Sequence, residues 1–308
     1  MNFDNRTKAI IATLGAQVIW GIAGPLVKVV LGSVPPFGLM FLRFLGASII
    51  LFIIYELKLA KTQPEMTRED KKNIFLAGFF GVFVNIALYF WGQQLTTVID
   101  AWVITSAGTL FVIILSYFFL KEHLTKVVYL GAAISFIGTI IVLGDGIFQF
   151  GRGGLLGNLA ILGATLSAAI SYLLTKKLVE KFSPLVLTYY FFLTSLVFSL
   201  PLFLLEYFQN PTWLSSLSSQ SLLIIGYLIL GSSIGAYYLS NLGLKHLSAS
   251  LAATIGYSSV VIAIGLSIIF LHEKPTEFFI IGTSLIAIGL FLAETRHPSH
   301  PIHKLQRK

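Results

Sequence analysis

The sequence predicts an all-α polytopic membrane protein in which ten transmembrane helices form two inverted five-helix repeats. Three observations carry this expectation. Hydrophobic residues make up 56% of the 308-residue chain and charged residues 11%, against about 25% charged in soluble domains, and the mean hydropathy is +0.86. A charged turn, Phe118-Phe119-Leu120-Lys121-Glu122-His123-Leu124-Thr125, recurs as Ile269-Phe270-Leu271-His272-Glu273-Lys274-Pro275-Thr276, placing Glu122 and Glu273 151 residues apart (273 − 122). At that offset the windows 113–138 and 264–289 agree at Ile113, Leu115, Ser116, Phe119, Leu120, Glu122, Thr125, Gly131, Ile137 and Gly138. Shared apolar composition accounts for about 3 such matches. The third observation is the placement of Lys and Arg, which gather in alternate loops.

A crossing needs about 20 mainly apolar residues. Such runs occupy 9–30, 36–55, 74–92, 101–120, 126–144, 155–175, 184–205, 220–243, 249–271 and 277–294. Five fall in each repeat, and an odd number turns the second repeat upside down. The repeats are expected at 1–144 and 155–294, joined by a Gly-rich linker over 145–154 and followed by a cytoplasmic tail, 295–308. The run after Arg6 and Lys8 is too long for a signal-peptide core, so the first span is expected to be retained. Thr125, Thr276 and Ser183 stand where N-caps are needed. Gly131, Ser135 and Gly138, with Gly282 and Gly289, give the fifth and tenth spans small faces for close packing. Gly24-Pro25 is expected to break the first helix and act as a hinge, and Pro201 to bend the seventh.

With the N-terminus inside, cytoplasmic segments hold seventeen of the 21 Lys and Arg residues and the opposite side three, Lys28, Arg152 and Lys274, while Arg43 lies within a span. That bias predicts a multi-pass protein of the cytoplasmic (inner) membrane with both termini cytoplasmic. The net charge of +8 is scattered rather than gathered on a patch, which argues against nucleic acid as a partner. There is no cysteine, which excludes a disulfide framework or a thiolate metal site. No cofactor is expected, and the partners are the lipid bilayer, a small-molecule substrate and at most a second copy in a weak homodimer.

The repeated Leu-x-Glu-x-x-Thr turn, with a Gly seven residues before a second Gly in the following span, resembles the drug/metabolite transporter superfamily, in particular its ten-helix EamA-type branch. Leu88-Tyr89-Phe90-Trp91-Gly92, Phe41-Leu42-Arg43-Phe44 and Trp20-Gly21 extend the resemblance over nearly the whole chain. It implies a secondary transporter, in the first instance an exporter of small metabolites such as amino acids or related carboxylates, working by alternating access. A multidrug or cation efflux transporter is the alternative, and a non-transport membrane protein, an intramembrane enzyme or receptor, is the second. The family's usual Pro in the fourth and ninth spans is replaced by Thr109 and Val260, which puts any bend there in doubt.

Arg43 begins about 10 Å inside its helix at 1.5 Å per residue from Pro36, where a charge costs about 3 kcal/mol by insertion scales. Aligning Pro36 with Pro184, Gly15 with Gly163 and Lys28 with Lys176 sets Phe191 opposite Arg43, so the scaffold can be built without the charge. Arg43 is therefore a candidate substrate anchor; snorkelling or pinning a neighbouring helix is the structural alternative. Lys28 and Lys176 read as interface anchors, Asp100 as a cap at the start of the fourth span, and Glu122 and Glu273 as structural residues of the turns.

No Asp, Glu or His falls near a span centre. The multidrug relatives hold cations and protons on a carboxylate in the first helix; here that helix offers Gln17 and Trp20. One Arg without an acid favours anionic solutes. A Ser and His pair, paired Asp residues or a metal site, as intramembrane hydrolysis requires, is likewise missing from the spans. Polar and aromatic residues recur at helical spacing: Asn85, Tyr89 and Gln93; Trp102, Thr105 and Thr109; Gly163, Ser167 and Ser171; Ser233, Tyr237 and Asn241; Thr254, Tyr257 and Ser258. From these the candidate site comprises Arg43, Trp20, Gln17, Asn85, Tyr89, Trp102, Thr105, Ser171, Tyr237 and Tyr257, an apolar-aromatic wall with few polar anchors. For single hydroxyls, helix-to-helix hydrogen bonding is the competing reading.

Overall fold

A computed structural model describes residues 5–58, 64–120, 126–247 and 249–295. Side chains at 142–153, and at further positions that include Thr109, Thr254 and Tyr257, lie outside the description, as do the turn 121–125 and the tail from 296. Every regular element among the described residues is helical: α1 Asn5–Val30, α2 Pro36–Lys58, α3 Arg68–Gly78, α4 Asn85–Leu95, α5 Val98–Ser106, α6 Gly108–Leu120, α7 Lys126–Leu178, α8 Pro184–Gln209, α9 Thr212–Ser215, α10 Ser219–Tyr227, α11 Ala236–His246, α12 Ala249–Ile255, α13 Tyr257–Phe270 and α14 Glu277–Thr295. Two π-helical segments, Phe79–Val84 and Leu228–Gly235, join α3 to α4 and α10 to α11.

Six helical stretches are long and apolar enough to cross a membrane: Asn5–Val30, Pro36–Leu57, Arg68–Leu95, Gly154–Leu178, Pro184–Gln209 and Ser219–His246. Shorter apolar helices run over Val98–Val112, Ser258–Phe270 and Glu277–Gly289. Large apolar side chains such as Val197, Phe208, Leu223 and Val261 point outward at 62%, 76%, 76% and 72% exposure. In water so apolar an exterior would be an aggregation liability; against lipid it is the surface that is needed. The protein is a multi-pass, all-α membrane protein.

Helix packing relates the halves. α2 lies along α8; α1 packs on α11 and α13, as α7 packs on α4 and α6; and α14 lies on α7. The last contact is as close as the small-residue stripe anticipates, since a Cβ on Gly138 would stand 2.5 Å from the Gly282 carbonyl oxygen. Phe44, Phe90 and Phe192 are fully buried between these pairs. Ser183 and Thr276 accept the backbone N–H of Val186 and Phe279, as N-caps should.

Four expectations need correction. Gly24-Pro25 does not break the first helix: α1 is continuous through Pro25. Gly24 is demanded instead by close packing, because a Cβ there would stand 2.2 Å from Trp102 Nε1. The linker 145–154 is helical rather than a loop, α7 running 53 residues through it. The stretches expected as fourth and ninth spans are interrupted without Pro, at Ala107 between α5 and α6 and at Gly256 between α12 and α13. Hydroxyls take carbonyls around each break: Ser106 Oγ donates to Val103 O and Thr105 Oγ1 to Ala101 O, while Ser258 Oγ donates to Ile255 O and Ser259 Oγ to Gly256 O. Groups that an interrupted helix frees are thus satisfied locally.

The fourth correction concerns Lys28 and Lys176, which do not reach out as anchors. Lys28 Nζ donates to Gln93 O at 2.7 Å and Thr96 O at 2.6 Å, and Lys176 Nζ to Leu244 O and Leu247 O, both at 2.9 Å. Each ammonium closes the C-terminal end of a helix, α4 or α11, where carbonyls lack intrahelical partners and the helix dipole favours a cation. Glu273 performs the complementary task. Its two carboxylate oxygens accept the N–H groups of Val98 and Ile99 at 2.9 and 3.0 Å, at the N-terminus of α5. His272, just before it, has φ 54, a left-handed conformation that turns the chain sharply ahead of the glutamate. The matching Glu122 lies outside the described residues.

Candidate functional site

A cavity of about 320 Å³ lies among the helices. Its wall receives Gln17 and Trp20 from α1, Arg43 from α2, Asn85 and Tyr89 from α4, Trp102 and Thr105 from α5, Ser171 from α7 and Tyr237 from α11. Nine of the ten candidates thus come together from six helices; the side chain of the tenth, Tyr257, is outside the description. Phe191, the repeat counterpart of Arg43, also lines the cavity. One half therefore contributes a guanidinium where the other contributes a phenyl ring.

Arg43 is 3% exposed. Its Nε donates to Ser233 Oγ at 2.5 Å and its Nη2 to Ser232 Oγ at 3.0 Å, and the guanidinium stands 5.8 Å from the centre of the Phe90 ring. Among the described residues no carboxylate pairs with it. Both serines belong to the π-helical segment Leu228–Gly235, and its widened turn accounts for their position. Ser233 Oγ donates in turn to Leu228 O, five residues back, at 2.8 Å, the spacing of the widened turn. Trp20 Nε1 fixes the same segment by donating to Ser232 O at 3.1 Å, and its ring meets Tyr237 edge-on at 5.4 Å.

The other π-helical segment, Phe79–Val84, is held from the opposite half. Ser171 Oγ donates to Ala77 O at 2.7 Å, Ser167 Oγ to Phe80 O at 2.6 Å, Ser195 Oγ to Gly78 O and Tyr237 Oη to Gly81 O, both at 3.3 Å. Gly81 must be Gly, since a Cβ would come within 2.0 Å of Ser171 Oγ. The two segments occupy corresponding places in the expected third and eighth spans, their last residues, Val84 and Gly235, being 151 apart as the turns are (235 − 84). Sequence reasoning missed them. The available signal was the clustering of small residues, Gly78 and Gly81 in one span and Gly231, Ser232, Ser233 and Gly235 in the other.

Several candidate polar groups are committed to the scaffold. Asn85 Nδ2 donates to Ala164 O at 2.8 Å, and Thr105 Oγ1 bonds its own helix. Asn241 Nδ2 reaches Thr188 Oγ1 at 3.1 Å. Asp100 is 1% exposed in the first turn of α5, where Thr97 is the N-cap, accepting the Asp100 N–H at 3.0 Å. Thr96 Oγ1 donates to Asn158 Oδ1 at 2.5 Å beside it. No group of three or more His, Asp or Glu residues is placed to hold a metal among the described residues.

The model of the EamA-like transporter family matches this chain twice, over residues 7–144 and 155–295. The chain belongs to the EamA-like transporter family. Proteins of similar sequence include the uncharacterized transporter YetK of Bacillus subtilis (strain 168), 27% identical over 287 residues, covering 92% of this chain and 84% of YetK. The pseudopaline exporter CntI of Pseudomonas aeruginosa (strain UCBPP-PA14) is 21% identical over 289 residues, covering 94% and 96%. A solved crystal structure superposes with a TM-score of 0.66 at 21% identity, covering 95% of this chain and 97% of its own, and supports the fold. This EamA-like protein is accordingly a membrane transporter and not an enzyme.

Proposed function

We propose that this transporter moves small organic solutes bearing a carboxylate, amino acids or related metabolites, with Arg43 as the anchor for the anionic group. The observation that carries the reading is the setting of Arg43: a buried guanidinium at a cavity wall whose bonding partners are two neutral hydroxyls, leaving its charge without a counter-ion among the described residues. A carboxylate entering the cavity would supply that counter-ion and could pair with the fork in two parallel bonds. The absence of a carboxylate among the cavity-lining residues weighs against a cationic drug as the solute. Export is the direction proposed, in keeping with the relative named as a pseudopaline exporter.

The reading includes ten crossings arranged as two inverted halves that alternate in opening. Supporting it are the double family match, the reciprocal packing of α1 and α7, and the paired bonds of Lys28 and Lys176, each at the end of a third or eighth span. The length of α7 fits two crossings better than one, since 53 helical residues would extend about 80 Å at 1.5 Å per residue, against a hydrocarbon core of about 30 Å. The distribution of Lys and Arg supports a cytoplasmic position for both termini. Counterflow into proteoliposomes tests the function: purified protein loaded with an unlabelled amino acid or related carboxylate should accumulate the labelled solute. Exchange of cationic dyes but of no carboxylate would overturn the reading.

A further inference from the structure

Three buried polar atoms near one end of the cavity have no hydrogen-bond partner: Tyr89 Oη, Gln93 Oε1 and Trp102 Nε1. They belong to one cluster. Tyr89 and Gln93 are one turn apart on α4, hence on one face, and the Tyr89 and Trp102 rings meet edge-to-face at 6.4 Å. Gly24 stands at the centre, its carbonyl accepting Gln93 Nε2 at 3.0 Å and its Cα so close to the indole that a Cβ would lie 2.2 Å from Trp102 Nε1. Gln93 is 0% and Trp102 7% exposed, while Tyr89, Trp102 and Gly24 all line the cavity.

Native proteins leave few buried polar groups unpaired, because each forfeits its bonds to water without replacement. Two of the three, on Tyr89 and Trp102, belong to residues of the cavity wall, and such a pair marks a place where a ligand completes the bonding. Their chemistry specifies the ligand group: an indole N–H only donates, an amide oxygen only accepts, and a phenol does either. The charges nearby are already engaged, Lys28 by the carbonyls of Gln93 and Thr96 and Glu273 by the N–H groups of Val98 and Ile99. Asp100, buried in the first turn of α5, accepts from Thr96 Oγ1 at 3.4 Å, and the three partnerless groups are themselves uncharged, which suits an uncharged ligand group.

We propose that Tyr89 and Trp102, with Gln93 buried one turn along α4 from Tyr89, form a second polar subsite, distinct from Arg43, which takes an uncharged group that both donates and accepts hydrogen bonds, a primary amide or a hydroxyl. The inference rests on the cavity being the substrate site and extends it: the preferred solute carries a carboxylate at one end and such a group at the other.

Four probes of similar length separate the two anchors. Glutaramate has a carboxylate and a primary amide, hexanoate the carboxylate alone, glutaramide two amides, and hexanamide one amide and an alkyl end. Binding to purified full-length protein is measured by calorimetry. Wild type should bind glutaramate about tenfold or more tighter than hexanoate, the cost of leaving a polar subsite unpaired. Tyr89→Phe and Trp102→Phe, which keep the aromatic shapes, should bring that ratio close to one. Arg43→Gln should weaken both carboxylates while leaving the ratio between them intact. An equal affinity of wild type for glutaramate and hexanoate, a ratio unmoved by both aromatic variants, or no binding of glutaramate or glutaramide overturns the subsite. If Arg43→Gln spares the carboxylates, the carboxylate anchor falls, and the glutaramide-to-hexanamide ratio still reads the subsite by itself. Loss of thermal stability in the aromatic variants with an unchanged ratio would assign the cluster to packing and reject the proposal.

Discussion

Lys28 and Lys176, 148 residues apart (176 − 28), make the same contact at two different helix ends: each ammonium bridges two main-chain carbonyls, Gln93 with Thr96 and Leu244 with Leu247. The acceptors are themselves related by the 151-residue offset of the turns (244 − 93 and 247 − 96). A repeated charge is used here for a repeated structural purpose, whereas Arg43, whose counterpart is Phe191, is used once.

Removing either ammonium leaves helix-end carbonyls partly buried and unpaired. Lys28→Met and Lys176→Met should each destabilise the protein by about 1–3 kcal/mol, lowering the melting temperature in detergent by several degrees. The two losses should be similar in size. An unchanged melting temperature in both variants would show that solvent or lipid satisfies those carbonyls.

Two glycines offer an internal control on helix packing. Gly138→Ala places a methyl group 2.5 Å from the backbone oxygen of Gly282, and backbone cannot swing aside, so the variant should lose about 1–3 kcal/mol through overpacking. Gly226, within α10, has nothing within 4 Å of the corresponding position. Gly226→Ala should be neutral or gain up to about 1 kcal/mol from helix propensity. Thermal melts of the two variants side by side check the contrast.

Orientation is testable with single thiols because the chain has no cysteine. Asn210→Cys, in the exposed end of α8, should react in intact cells with a maleimide that does not cross the membrane. Gln63→Cys should react only after permeabilisation. Labelling at 63 alone would reverse the proposed topology.

Much of the architecture is legible in the sequence because it depends on quantities sequence displays directly. Apolar run length identifies the spans, and a charge in such a run singles out Arg43. Helical spacing gathers Asn85 with Tyr89 on one face of α4, and both line the cavity with Trp102 and Trp20. The π-helical segments were not legible, since they are held by residues from distant parts of the chain, Phe79–Val84 and the turn before it by Ser167, Ser171, Ser195 and Tyr237, and Leu228–Gly235 by Trp20 and Arg43. The task of Lys28 was hidden for a related reason: its acceptors are backbone carbonyls, which carry no residue signature. At Thr109 and Val260 the missing Pro suggested straight helices, but nearby hydroxyls stabilise breaks at Ala107 and Gly256 by a different chemistry.

The central claim is that the Arg43 guanidinium recognises the carboxylate of the solute, and the most direct measurement compares an acid with its neutral amide analogue in proteoliposome counterflow. Lys keeps the charge but loses the planar fork, so Arg43→Lys should transport the acid more slowly than wild type and Arg43→Gln more slowly still, by about tenfold or more for a charge-assisted pair worth about 1.5–3 kcal/mol. Membrane insertion should be unaffected in both. The account predicts that wild type prefers the acid and that Arg43→Gln loses most of this preference. Equal losses for acid and amide would contradict it, leaving Arg43 as a brace between α2 and the serines of the eighth span.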